Sequence, residues 1–221
     1  LCDLNPSAIN QVRLMPRVLI DISERDLSSS ILGQKTGLPS GPAPMGMCAL
    51  AWPGADRAMA REAARRRIPL CVSTASSMAI EQVNDLAEGN AWFQLYADQS
   101  DEFIDELVAR AAAADYRVLI LTVDVPIPSV RPRDHRNGFT FPMRWGVRQL
   151  WDFASHPHWS LATLSHALGN GIPRPMNYAT SSTNTSFVRN ASRARADWSF
   201  LARLRDRWPG KLVVKGVQCP E

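Results

Sequence analysis

The feature that most constrains this chain is a set of short runs with no polar face. Val118–Val123 reads Val-Leu-Ile-Leu-Thr-Val, with no alternation to spare for solvent. A strand of that composition must be covered on both sides, which is the situation of a parallel sheet flanked by helices. Ile68–Val72, Ala91–Tyr96 and Leu212–Lys215 are further strand candidates. Helix-prone stretches separate them: Ala55–Arg67, rich in Ala and Arg, then Ile80–Ala87, Asp101–Ala114 and Ala196–Trp208. In the third of these, Phe103, Leu107 and Ala111 recur at helical spacing behind an acidic first turn. Upstream, Arg17–Ile22 and Ser29–Leu32 read as a hairpin. Strand–helix alternation of this kind leaves two α/β architectures, an open doubly wound sheet and a (β/α)₈ barrel. No G-x-G-x-x-G and no G-x-x-x-x-G-K-[ST] is present, which weakens the nucleotide-binding open sheet. A complete barrel takes ~250 residues. A barrel built from these 221 residues, many of them in an irregular stretch, is therefore part of one.

Composition excludes other classes. With 45% apolar and 21% charged residues the chain is neither disordered nor collagen-like. No apolar run is long enough for a membrane-spanning helix, and the first residues lack the basic flank and apolar core of a signal peptide. The four cysteines, Cys2, Cys48, Cys71 and Cys219, lie far apart without C-x-x-C spacing, as expected of free thiols in a reducing compartment. The net charge of +4 is concentrated. Between Phe141 and Trp198 stand six arginines against two aspartates, with four of the seven tryptophans. Arginines can meet anionic headgroups and tryptophans an interface, so this composition agrees with the membrane-surface role over residues 141–195 that the resemblance stated below implies. An active-site lid is the competing reading of so long a loop. Nucleic acid is a poorer partner, because no stacking or groove-reading motif accompanies the charge.

In a barrel the reactive groups stand at the C-terminal ends of strands. Here those ends are polar: Ser73-Thr74, then Gln94 and Tyr96, then Thr122 and Asp124, then Lys215. Residues two apart share a face, so neighbouring strands aim polar pairs the same way. Asp124 suits an orienter or acid–base partner, although such a residue also serves as a cap. Arg131 offers a planar fork for a carboxylate, or pairs with Asp134. Lys215 needs an anionic or electron-rich neighbour to be buried. His156 and His158, two apart without carboxylates, are poor ligand spacing, so no metal is expected.

Seven motifs in order carry a resemblance: Leu14 with Pro16–Leu19, Ala43–Gly46 (APMG), Ser73–Ser76 (STAS), Trp92–Tyr96 (WFQLY), Leu121–Pro126 (LTVDVP), Arg131–Phe139 (RPRDHRNGF) and Val213–Gly216 (VVKG). The whole chain thereby resembles the FMN-dependent 2-hydroxy acid dehydrogenase/oxidase family. Its STASSMAIE, HPHWSL and WPGKLVVKG phrases are most similar to the membrane-associated (S)-mandelate and L-lactate dehydrogenase branch. The resemblance implies the (β/α)₈ TIM barrel, with only its N-terminal part present and a long irregular loop after the fourth strand. It implies FMN as cofactor, held by Pro44, Met45, Gly46, Ser73, Gln94, Thr122 and Lys215. Tyr96 and Arg131 would bind substrate, and Asp124 would stabilise the charged form of a histidine base. That base belongs to a His-Gly-Gly-Arg motif, which is not in this sequence; His135, His156, His158 and His166 all stand in other contexts.

The expectation is therefore an internal fragment, residues 1–221 forming a partial FMN-binding barrel domain, inactive alone. Its parent would oxidise an (S)-2-hydroxy acid, mandelate- or lactate-like, to the 2-oxo acid and pass electrons to a membrane quinone. By the same resemblance it would be a homo-oligomer, a tetramer, cytoplasmic and peripheral on the inner face of the cell membrane through residues 141–195. Two alternatives remain: a soluble oxidase that uses oxygen, and a non-catalytic truncated barrel or membrane-surface binding remnant.

Overall fold

A computed structural model describes residues 4–97, 100–125, 132–139, 146–178 and 196–217. Helix α1 (Leu4–Gln11) leads into an extended, exposed stretch and a hairpin of β1 (Ser29–Ile31) and β2 (Gln34–Thr36). The barrel units follow: α2 (Cys48–Ala51), α3 (Ala55–Arg66), β3 (Leu70–Ser73), α4 (Ile80–Leu86), β4 (Ala91–Tyr96), α5 (Asp101–Ala113) and β5 (Val118–Thr122). Helices α6 (Pro132–Arg136), α7 (Val147–Ser155) and α8 (Pro157–Asn170) come next, then a 3₁₀ turn at Met176–Tyr178. Helix α9 (Trp198–Arg207) and β6 (Lys211–Lys215) complete the described elements.

Strands β3 to β6 form one parallel sheet in chain order. Its two faces differ. Val72, Phe93, Leu95, Leu119 and Leu121 pack against Ala60 and Ala63 of α3, Ile80 and Val83 of α4, Phe103 and Leu107 of α5, and Phe200 and Leu204 of α9. The other face holds Cys71, Trp92, Val118, Ile120 and Val213, joined by Ile31 of the hairpin. Helices on one face only, with strand order equal to chain order, are the winding of a (β/α)₈ barrel; a doubly wound sheet carries helices on both faces. The structure is an arc of that barrel, and the hairpin covers the N-terminal end of its interior. There the Trp92 indole Nε1 donates to Gln34 Oε1 at 3.2 Å.

Local signals explain the element ends. Ser100 Oγ accepts from the Phe103 amide at the start of α5, and Asp197 Oδ1 accepts from the Phe200 amide at the start of α9. The hairpin differs from expectation. Leu32 and Gly33 both have positive φ (51° and 80°), the pattern of a two-residue type I′ turn, so Ser29–Ile31 pairs with Gln34–Thr36. Arg17–Ile22 takes no strand and lies exposed. The stretch expected to be irregular after β5 holds α7 and α8, with Pro157 in the first turn of α8. Ser40-Gly41-Pro42 forms no strand. The Pro42 carbonyl accepts from the Cys71 amide at 3.1 Å, and only a parallel bridge between Met45 and Val72 continues the sheet on that side.

Candidate functional site

Parallel register places the polar strand ends on one side of the sheet. Ser73 lies opposite Gln94, while Tyr96, Thr122 and Lys215 lie opposite one another across three strands. Ser73, Gln94 and Thr122 are buried, Gln94 completely. Among the described residues, neither polar atom of the Gln94 amide nor the Thr122 hydroxyl has a hydrogen-bond partner. Orphaned polar atoms in a packed interior cost ~1–3 kcal/mol each. Three of them on adjacent strands mark a surface made to bond something polar. Pro44-Met45-Gly46 is the turn beside this row. The Met47 amide donates to Ala75 O at 2.8 Å, and a Cβ placed on Gly46 would lie 3.1 Å from Ala75 Cβ and 3.8 Å from Ser73 Oγ.

At the far side Lys215 Nζ donates to Asp124 Oδ2 at 2.8 Å. Pairing of the two strand exits extends past β5, since the Val123 amide donates to Lys215 O at 3.0 Å. Gly216 makes this approach possible. Its φ is +109°, and a Cβ there would lie 2.4 Å from Asp124 Cβ and 2.8 Å from Asp124 N. Sequence reasoning did not single Gly216 out, although a glycine directly after a buried strand is the signal for such a contact. Arg131 lies outside the described residues.

Other candidates fall away from this row. Burial pushes the thiols of Cys48 and Cys71 up to about 11, helped at Cys48 by the charge of Asp56, so both are inert near neutral pH. His156 Nδ1 contacts the Asp152 carbonyl at 2.8 Å, and His158 stacks on Trp52. Among the described residues no group of three His, Cys, Asp or Glu side chains could hold a metal ion. A cavity of about 560 Å³ lies between α2, α6, α7 and α8, lined by Leu50, Phe139, Gln149, Phe153 and Trp159 among others. None of the strand-end side chains lines it, so it belongs to the helices after β5 rather than to the polar row.

Those helices carry an apolar surface of their own. No residue of α7 or α8 is buried. Val147, Leu150 and Trp151 on α7 are exposed at 85%, 58% and 76%, and Leu161, Leu164 and Leu168 form a stripe along α8. The pair is held to itself by the stacked rings of Phe153 and Trp159, and to the barrel by Trp159 Nε1 donating to Ala51 O. Among the described residues no helix is long and apolar enough to cross a membrane.

Comparison with known proteins accounts for this arrangement. Residues 2–221 match the family model described as FMN-dependent dehydrogenase. The chain is 36% identical over 222 residues to the (S)-mandelate dehydrogenase of Pseudomonas putida, covering 98% of this chain and 55% of that protein. It is 33% identical over 230 residues to an L-lactate dehydrogenase of Caulobacter vibrioides, covering 98% of this chain and 57% of that protein. The crystal structure of the monotopic membrane protein (S)-mandelate dehydrogenase superposes with a TM-score of 0.84 at 35% identity, over 96% of this chain and 57% of the other. The chain thus spans a little over half the length of the relatives it matches. With its motifs in order, its barrel arc and its polar strand ends, the chain belongs to the FMN-dependent dehydrogenase family.

Proposed function

We propose that the protein containing this chain oxidises an (S)-2-hydroxy acid, mandelate- or lactate-like, to the 2-oxo acid with bound FMN, and delivers the electrons to a membrane quinone. The observation that carries this reading is the row of buried, unpartnered atoms on Gln94 and Thr122, with Lys215 in register beside them. The edge of an isoalloxazine ring offers the donors and acceptors that such a row lacks. Gly46 gives room for a ring to approach the backbone, and Ser73 Oγ, which accepts from the Ala75 amide at 3.1 Å, keeps its own proton to donate. FMN, when bound, takes up the two electrons that leave the hydroxy acid.

The chain's own residues hold and orient. Tyr96, at the end of β4 and half-buried, would bind the substrate, and Arg131 would grip its carboxylate. Lys215 supplies positive charge where a reduced ring is negative. Asp124 holds Lys215 now and would also stabilise the protonated histidine that serves as base. Over the whole reaction the hydroxy acid loses two electrons and two protons, and a quinone that gains the same becomes a quinol.

The exposed apolar residues of α7 and α8 support peripheral attachment of this protein to a membrane surface. That this surface is the inner face of the cell membrane, and that the protein is a homo-oligomer, a tetramer, rests on the family resemblance alone. The same apolar residues also favour a membrane acceptor over oxygen, since an enzyme using oxygen has no need of an apolar surface. The test is anaerobic mixing of the intact, FMN-loaded gene product with (S)-mandelate and (S)-lactate, followed by the visible absorbance of the oxidised flavin. Bleaching by either acid, with recolouring by a short-chain quinone faster than by oxygen, is expected. A flavin left oxidised by both acids overturns the reading; faster recolouring by oxygen leaves the oxidase.

A further inference from the structure

Just past α8 the chain returns to the barrel, and one side chain there makes three hydrogen bonds to it. Asn177 is fully buried. Its Oδ1 accepts from the Ile80 amide at 3.0 Å, filling the N-terminal cap of α4, where Ala79 provides no side-chain bond. Its Nδ2 donates to Thr74 O at 3.3 Å and Met78 O at 3.4 Å. On either side, the Met176 amide donates to Ser76 O at 2.9 Å, and Tyr178 stacks on Phe103 inside the core.

Thr74 is the next link. Its Oγ1 donates to Gln94 O at 2.7 Å and accepts from the Tyr96 amide at 3.2 Å, while its own amide also donates to Gln94 O. The two residues thus held are the proposed ring-binding glutamine and the proposed substrate tyrosine. The link back to α8 is short and stiff. Gly171–Pro175 contains two prolines, Pro173 and Pro175, both buried, so a shift of α8 has little slack in which to dissipate. Helices α7 and α8, by contrast, bury no residue and touch the barrel through few contacts, the Trp159–Ala51 bond and the stacking of His158 on Trp52 among them.

We propose that Asn177 is a positioning residue, which with Thr74 transmits membrane attachment of α7 and α8 to the strand end carrying Gln94 and Tyr96. This rests on the attachment proposed above. Docking of α8 tightens or relaxes the Asn177–Thr74 bond, and with it the backbone at Gln94 and Tyr96.

The experiment uses the intact gene product with and without vesicles of phosphatidylcholine and phosphatidylglycerol at 3:1. It measures co-sedimentation, the FMN dissociation constant by flavin fluorescence, and the KM for the hydroxy acid that bleaches the flavin. Vesicles are expected to change the FMN dissociation constant or the KM by about fivefold in the unaltered protein. Asn177→Ala and Thr74→Val, which break the path at different points, are expected to abolish that change while still co-sedimenting. A merely structural role would lower the melting temperature of both variants and leave the vesicle response in place. That result overturns the proposal, as does a protein that sediments with vesicles without any response. Failure to sediment at all overturns the attachment, and this coupling with it.

Discussion

The barrel arc and the α7–α8 pair are both rich in large apolar side chains, yet they use them in opposite ways. In the arc, Phe93, Leu95, Phe103, Leu107 and Leu119 are sealed inside, and polar atoms of Gln94 and Thr122 are left without partners among the described residues. In the pair, leucines and Trp151 face outward, while the polar atoms of Ser155, His156 and Ser160 are bonded within the pair itself, with Thr163 Oγ1 as an exception. Each region is thus incomplete in one sense: the first lacks polar partners, the second apolar ones. The first deficiency suits a polar ligand at the strand ends and the second an apolar surface outside the molecule.

The largest way to test that division is at the strand ends. In the intact protein, Asp124→Asn is expected to lower kcat by ~10²–10⁴-fold, the loss expected when the partner proposed to stabilise a protonated histidine base is removed. Steady-state kinetics on the bleaching acid reads this, with vesicle co-sedimentation unchanged. An equal loss of sedimentation would show that the regions are not separate.

Stability divides the same regions next. Phe103→Ala removes a fully buried ring that stacks on Tyr178 at 5.6 Å, and is expected to cost ~3–5 kcal/mol in urea unfolding. Leu168→Ala, on a side chain 83% exposed, is expected to change stability by less than ~0.5 kcal/mol. Leu168 should matter instead at the vesicle. Leu168→Asp is expected to weaken co-sedimentation about tenfold, since a leucine gains ~1.5–3 kcal/mol on leaving water. Comparable unfolding costs at Phe103 and Leu168 would place both in one core and end the comparison.

Strands and helices of the arc were legible because their periods are local. The apolar run at Val118–Thr122 and the acidic first turn of α5 each announce themselves within a few residues. The polar row was legible too, because strand alternation fixes which side chains share a face. Whatever depends on distant partners was not. Asn177 has an ordinary loop context, and its bond to Ile80 joins residues 97 apart in the chain. The true hairpin was obscured because Leu32, an unusual residue for positive φ, sits in the turn beside Gly33. The segment after β5 looked irregular because its helices lack a conventional cap: neither Gly146 nor His156 makes a side-chain cap bond.

The smallest expected effect lies in two carboxylates on the helix side of the arc, which should respond to pH with opposite sign. Asp56, in the first turn of α3, is buried, and burial raises its pKa even though Ser76 Oγ donates to it at 2.9 Å. Between the ordinary carboxylate value and that raised value the folded state holds more protons than the unfolded one. Stability therefore falls as pH rises through this window. Glu81 is held below its ordinary value by a two-bond contact with Arg110, at 2.7 and 3.1 Å, which joins α4 to α5. Its contribution is present above the ordinary glutamate value and is lost as pH falls through the lowered one. Because Glu81 is 45% exposed, that contribution is below ~1 kcal/mol. Urea midpoints from pH 3 to 7 should separate the two. Asp56→Asn flattens the decline on the rising side, and Glu81→Gln removes part of the loss on the acid side. Should Asp56→Asn steepen that decline instead, the Ser76 bond outweighs burial, and the end of β3 is more polar than its packing implies.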